Sequence, residues 1–290
     1  MRIEDKNKTD KCKNLPFYLP NSWTCLNAQG PGPFVTKATL KNSKGELIQW
    51  DSRHNRKHNF KFDTSVGSTW WAPGAIGWWI GILFSIGGAI FFAFGAIPAY
   101  LKFVGATYDA LTYFIGSIFF TSAAFLQYFE EINSSKNLSK RKSKIKFLVF
   151  MPKRISWWSV VVQFIGTLFF NLTTFYAIFN NLSIHQLIGL VWIPDMYGSI
   201  CFLIASFLAW IEVSHGLFSW DLSSFSWNIS GVNMLGSIFF GISAIGAIII
   251  PSTGLDLNSF LVNMGTFLGA VCFLIGAILL LPERIYEEVK

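Results

Sequence analysis

The sequence predicts an all-α membrane protein: six transmembrane helices built as three helical-hairpin repeats (pseudo-threefold), behind a small cytoplasmic N-terminal segment containing a β-hairpin. Three observations lead there. Charged residues make up 13% of the chain, about half the roughly 25% usual in soluble domains. From residue 75 onward the apolar residues fall into runs long enough for the roughly 20 residues that cross a hydrocarbon core. One five-residue pattern also recurs once in every such run.

The first 72 residues are polar and hold no apolar stretch of signal-peptide type, so a cleavable signal is not expected. Within them "PFVTKATLKNSKGELIQW" reads as two short extended runs about a turn at Asn42 to Gly45, a β-hairpin. Upstream, Pro16, Pro20, Pro31 and Pro33 discourage regular structure. The stretch Trp50 to His58 follows, carrying Arg53, Arg56 and Lys57, and then Trp70-Trp71. Basic and aromatic residues just before a span favour an anchor on anionic lipid headgroups. Docking of that cluster on an acidic layer of the bundle is the second option.

The six spans are expected at about 77–97, 109–129, 157–178, 197–215, 228–250 and 260–281. Hairpin repeats then occupy residues 73–133, 156–216 and 217–285, with a basic loop at 134–155 and a tail at 286–290. Residues 1–76 hold 12 of the 23 Lys and Arg, residues 133–155 hold eight, and the C-terminal end of the chain adds Arg284 and Lys290. The three opposite connections hold only Lys102. The positive-inside rule therefore places both termini and the 134–155 loop in the cytoplasm. The net charge of +7 reads as topology and attraction to anionic lipid rather than to nucleic acid.

Cys12 and Cys25 then face a reducing compartment, where no disulfide is expected. Together with His54 and His58 they lack zinc spacing, so no metal site is expected. Cys201 and Cys272 read as small packing residues.

The recurring pattern is Gly, a small residue, two residues that are apolar or Cys, and Phe. Its glycines are Gly88, Gly116, Gly166, Gly198, Gly236 and Gly269. Seven and eight residues later each span is small again, for example Ala123-Ala124 and Gly276-Ala277. Seven residues is nearly two turns, so glycine and pair share a face. Helices in lipid associate by close backbone approach across such residues. Packing is the preferred reading of the motif over a ligand site.

Counting from the glycines separates odd from even spans. Nine residues earlier, odd spans carry Trp79, Trp157 and Trp227, expected in the lipid-interface belt. Three residues earlier they carry Ser85, Gln163 and Asn233, candidates for interhelical contacts or a polar path. Fourteen residues later, even spans reach Glu130, Glu212 and Glu283. A carboxylate at a helix C-terminus opposes the helix dipole, so this layer requires a partner. The partner is either Lys and Arg, the preferred reading, or a cation held between the three. No ionisable residue is expected near the middle of a span; Asn171, Thr173 and Asn263 complete the interior polar set.

The Gly-Ser-Ile-x-Phe units, Trp157-Trp158 and the closing "GTFLGAVCFLIGAILLLPER" resemble bacterial membrane proteins with YrhK-like domains, over about residues 74–285. That resemblance implies a bacterial cytoplasmic (inner) membrane location and carries no catalytic residues with it. Three hairpins in 290 residues are also like mitochondrial carriers. Pro98 and Pro251 are not followed by that family's acidic signature, which removes the assignment.

No catalytic grouping, phosphate loop or cofactor motif is visible; His185 and His215 stand isolated. The sequence therefore points to a non-enzymatic membrane scaffold or interaction protein. Its partners would be lipid and a homo-oligomer or another protein. The alternative is a channel or facilitator for a small solute or ion.

Overall fold

The computed structural model describes residues 11–59, 70–134 and 145–287. Residues 1–10, 60–69, 135–144 and 288–290 lie outside the described residues. Six helices are long and apolar enough to cross a membrane. Numbering helices in chain order, α1 is Ser52–Asn59 and α2 is Ile76–Gly95. The short α3 (Pro98–Val104) leads to α4 (Ala106–Asn133). Next come α5 (Ile155–Tyr176), α6 (Ile184–Val213), α7 (Phe225–Gly246) and α8 (Ser259–Glu287). Consecutive spans pack in chain order and α2 also packs on α8, so the six close into a ring.

Two spans depart from the expected course. α6 begins at Ile184, well before residue 197, so Asp195 lies inside a spanning helix. The expectation of no ionisable residue deep in a span therefore fails there, because a hydropathy reading cut the helix at its own carboxylate. α2 contains a π-helical turn at Leu83–Ala89. A π turn accommodates one extra residue within a continuous helix, with consequences for the repeat described below.

The N-terminal module is larger than a hairpin. Strands β1 (Thr24–Gln29), β2 (Lys37–Lys41) and β3 (Leu47–Asp51) form an antiparallel sheet in the order β1-β2-β3. The prolines do not prevent β1, because Pro20 and Pro31 sit in turns that bracket it. One face of the sheet buries Ala28, Ala38, Leu40 and Trp50. Cys12 and Cys25 are joined in a disulfide, their Cα atoms 5.8 Å apart, contrary to the expectation of free thiols. The bond ties the segment before the sheet to β1, beside this small core.

The bundle core is built from the repeated phenylalanines. Phe92, Phe170 and Phe240, from α2, α5 and α7, form one triangle with centroids 5.9–6.4 Å apart. Phe120, Phe202 and Phe273, from α4, α6 and α8, form a second with centroids 5.8–6.2 Å apart. Within each hairpin the two rings meet at 5.0–5.3 Å. Helical side chains lean toward their own N-terminus. Helices running in opposite directions therefore tilt the two triangles toward each other, and six rings fill the axis.

The glycines make this closure possible. A Cβ on Gly198 would stand 3.2 Å from the Gly166 carbonyl and 3.2 Å from the Phe170 ring. One on Gly269 would stand 2.3 Å from Phe240 Cδ1 and 3.0 Å from the Gly236 carbonyl. In the second and third hairpins each Phe thus occupies the groove left by its partner's glycine, whereas the Gly88 position lies outside the described residues. Gly269→Ala should destabilise the bundle by about 1–3 kcal/mol, the usual cost of overpacking. Gly189→Ala, where a Cβ meets nothing within 4 Å, serves as the control. Unfolding of both variants in detergent should show a lower midpoint for Gly269→Ala alone.

Candidate functional site

α1 has the sequence SRHNRKHN and not one apolar residue. Asp51 caps it, its Oδ1 accepting from the backbone N–H of His54 at 3.0 Å. Arg53, Arg56 and Lys57 are spaced i, i+3 and i+4, so they share one face. That face meets the ends of α4, α6 and α8, where the sequence had placed its glutamate layer.

The pairing is specific. Arg53 Nε donates to Glu283 Oε1 at 2.7 Å, and Lys57 Nζ donates to Glu130 Oε2 at 2.9 Å. Arg56 forks onto both oxygens of Glu212 at 3.2 and 3.3 Å and reaches Glu131 Oε2 at 3.1 Å. Arg154, just before α5, donates to Glu131 Oε1 at 3.2 Å and to Ser134 Oγ at 2.8 Å. The Ser52 and Ser226 hydroxyls also donate to Glu212 Oε1 and Glu283 Oε1, while Glu283 Oε2 has no hydrogen-bond partner among the described residues. All four carboxylates are at most 2% exposed. Among the described residues four carboxylates face four cations, so their charges balance.

Burial would lower the affinity of the Arg53 and Arg56 guanidiniums for their protons. Glu283 beside Arg53, and Glu212 and Glu131 beside Arg56, more than offset it and hold both above the usual range. Arg53, Arg56 and Lys57 contact these acidic helix ends, the second option for the basic cluster. Glu131 was missed in the sequence because only one glutamate per helix fits the offset of fourteen. The adjacent Glu130-Glu131 pair was its one visible signal.

His215 fastens the module a second way. Its Nδ1 is 2.9 Å from Thr36 Oγ1 and its Nε2 is 3.3 Å from Asp51 Oδ2, so it is not isolated. Burial pushes the Asp51 carboxyl up, but the hydrogen bonds from His215 and the His54 backbone outweigh it and hold it below the ordinary carboxylate value.

Between this layer and the phenylalanine rings lies a polar cavity of about 70 Å³, room for a few waters. Gln127, Gln163, Asn233 and Ser230 line it, and the oxygens Gln127 Oε1 and Ser230 Oγ lack a hydrogen-bond partner. Ser85 does not join them; its hydroxyl turns back to the Ile82 carbonyl at 3.2 Å. Phe84 lines the cavity with Gln163 and Asn233 instead.

The extra residue in the π turn explains this shift and a second one. Trp78, Trp157 and Trp227 are the matching tryptophans, and all three are buried. Their aromatic neighbours recur as well: Trp71 packs on Trp78 at 5.0 Å, Phe150 on Trp157 at 5.1 Å and Trp220 on Trp227 at 5.4 Å. Trp157 and Trp227 therefore do not belong to a lipid belt; their indole N–H groups donate to the Val149 and Ser219 carbonyls. Trp79 is exposed, bonded to the Pro73 carbonyl, and matches Trp158, bonded to the Pro152 carbonyl. Trp71, Phe150 and Trp220 are themselves exposed in the connections. An aromatic seven residues before each buried Trp was the available signal.

Of the other interior polar residues, Asn171 accepts from Thr121 at 3.1 Å, joining α4 to α5. Thr173 donates at 2.6 Å to the Val191 carbonyl, which lies in the π-helical turn Leu187–Trp192 of α6. No family model, curated protein or solved structure matches the chain.

Removing one partner from a buried ion pair leaves an unpaired charge, typically at a cost of about 3–5 kcal/mol. Arg56→Ala strands both Glu131 and Glu212, so its unfolding in detergent should lose stability on that order. Adding Glu212→Gln should recover part of the loss, which a double-mutant cycle measures.

Proposed function

We propose that the chain is a non-enzymatic membrane scaffold or interaction protein. In this reading a closed bundle of three hairpin repeats about a pseudo-threefold axis presents the N-terminal β-module at the cytoplasmic face. One observation carries it: α1 engages the ends of α4, α6 and α8 through a balanced ion-pair layer, above an axis filled by six Phe rings. The threefold recurrence of Trp78, Trp157 and Trp227 with their aromatic neighbours supports the repeat. A rigidly held module on a dry-centred bundle suits display rather than turnover.

The facilitator reading loses its path at the same rings, since Gln163 and Asn233 open only into a cavity beneath them. Purified protein in liposomes should leave imposed proton, sodium and potassium gradients undissipated relative to empty vesicles. Flux through the wild type that Phe170→Ala increases would overturn the scaffold reading and favour a gated facilitator.

The exposed Trp71, Phe150 and Trp220 support contact with the membrane interface. The Lys and Arg left outside the ion-pair layer support anionic headgroups as partners. The resemblance to YrhK-like proteins rests on the Gly-small-apolar-x-Phe units and supports a bacterial cytoplasmic membrane within the same proposal. Orientation is argued from both sides. Lys and Arg placement favours cytoplasmic termini, whereas the Cys12–Cys25 disulfide is of a kind that persists in oxidising compartments.

We adopt the cytoplasmic orientation because the basic residues are concentrated on one set of connections. A Lys44→Cys probe at the β2–β3 turn, in a Cys12→Ser/Cys25→Ser background, tests it. Membrane-impermeant maleimide should label inverted vesicles and spare intact cells. Labelling of intact cells would reverse the topology.

A further inference from the structure

On the far side of the phenylalanine rings from α1 the bundle holds a second chamber, of about 320 Å³, within the range of small-ligand sites. Phe92, Tyr113, Phe170 and Trp192 wall it, and Asp109 and Asp195 both open into it. Pro98 and Leu101 of α3 border it. No Lys, Arg or His lines it; the nearby Lys102 is exposed elsewhere on α3.

The two carboxylates are unlike the four of the ion-pair layer. Asp109 is 9% exposed and its Oδ1 has no hydrogen-bond partner. Among the described residues neither Asp109 nor Asp195 meets a cation, while the Tyr113 ring stands within electrostatic reach of both. Asp195 is three residues before Gly198, roughly 4.5 Å along the helix from the level where the hairpin helices cross. An ionisable group at that depth is expensive and ordinarily has a functional partner.

The other polar groups narrow the partner's chemistry. Thr173 is spent on the Val191 carbonyl, Thr174 on the Phe170 carbonyl, and Ser243 on Thr266 and the Val262 carbonyl. That leaves two carboxylates, the Tyr113 hydroxyl and the Asn263 amide facing a chamber walled by aromatic rings. No third His, Cys, Asp or Glu gathers with them among the described residues, so the set is poor for a metal. Carboxylates with ring faces are the usual recognition elements for ammonium groups, by charge and by cation–π attraction.

We propose that this chamber binds a small organic ammonium ion, with Asp195 and Asp109 neutralising its charge and Tyr113 and Trp192 enclosing its alkyl groups. The chamber ends on the Phe92 and Phe170 rings of the core, so this is a site for binding and does not require passage. It stands apart from the scaffold reading: either can fail without the other.

Thermal unfolding of the purified full-length chain, titrated with methylammonium and tetramethylammonium chloride, tests it. Sodium chloride at equal ionic strength and tert-butanol, a neutral isostere, are the controls. A saturable rise in midpoint with the ammonium salts alone is expected. Asp195→Asn and Asp109→Asn should each weaken it by at least about tenfold, a modest change for loss of a buried charge partner. Should Asp195→Asn fail to fold, Asp109→Asn and Trp192→Ala carry the same reading. The proposal is overturned if the midpoint does not respond, if sodium chloride or tert-butanol reproduces the response, or if the folded variants respond as the wild type does.

Discussion

The structure depends on one geometrical exchange, seen in the second and third hairpins: the phenylalanine of each helix fills the groove left by the glycine of its hairpin partner. Lipid gives apolar helices no reason to prefer one another over acyl chains, so the bundle must be held by close fit. The glycines let backbones approach until the partner's carbonyl stands 3.0–3.2 Å from where a Cβ would be, and the rings occupy the adjoining space. Because the exchange is reciprocal, it fixes the register of both helices together. The depth of every other layer follows from that register.

Two polar layers take opposite electrostatic solutions on either side of the rings. At the module end, four glutamates lie at helix C-termini, where the dipole opposes them. Four basic side chains, three of them on α1, compensate both dipole and burial. Buried ion pairs of this kind rarely add much stability over hydrophobic packing. What they add is orientation, since α1 seats only where Arg53, Arg56 and Lys57 all find carboxylates. At the far end, Asp109 and Asp195 are left without any such compensation.

Much of the fold was legible in the sequence because its signals are local. Apolar runs gave the six spans, and the turn at Asn42 to Gly45 gave the strands that became β2 and β3. The glycine offset placed Glu130, Glu212 and Glu283 where α1 docks. Counting failed at Ser85 and Trp79, because a π turn in α2 adds a residue that leaves no trace in composition. It failed again at Asp195, where the carboxylate lowered local hydropathy enough to shorten the expected span. The docking of Arg53, Arg56 and Lys57 on protein rather than lipid depended on charge pairing between residues more than 70 positions apart, which no local pattern reports.

The composition of α1 has a thermodynamic consequence. Separating most protein surfaces exposes hydrocarbon, and the heat capacity rises with it. Lifting a helix that contains no apolar residue from a bed of glutamates would expose charge and amide instead, so the heat capacity of that step would fall. The desolvation penalty on paired charges also shrinks on warming. The joint between module and bundle would thus tighten with temperature over a range where hydrophobic contacts level off, and its burial would shield it from screening by dissolved salt.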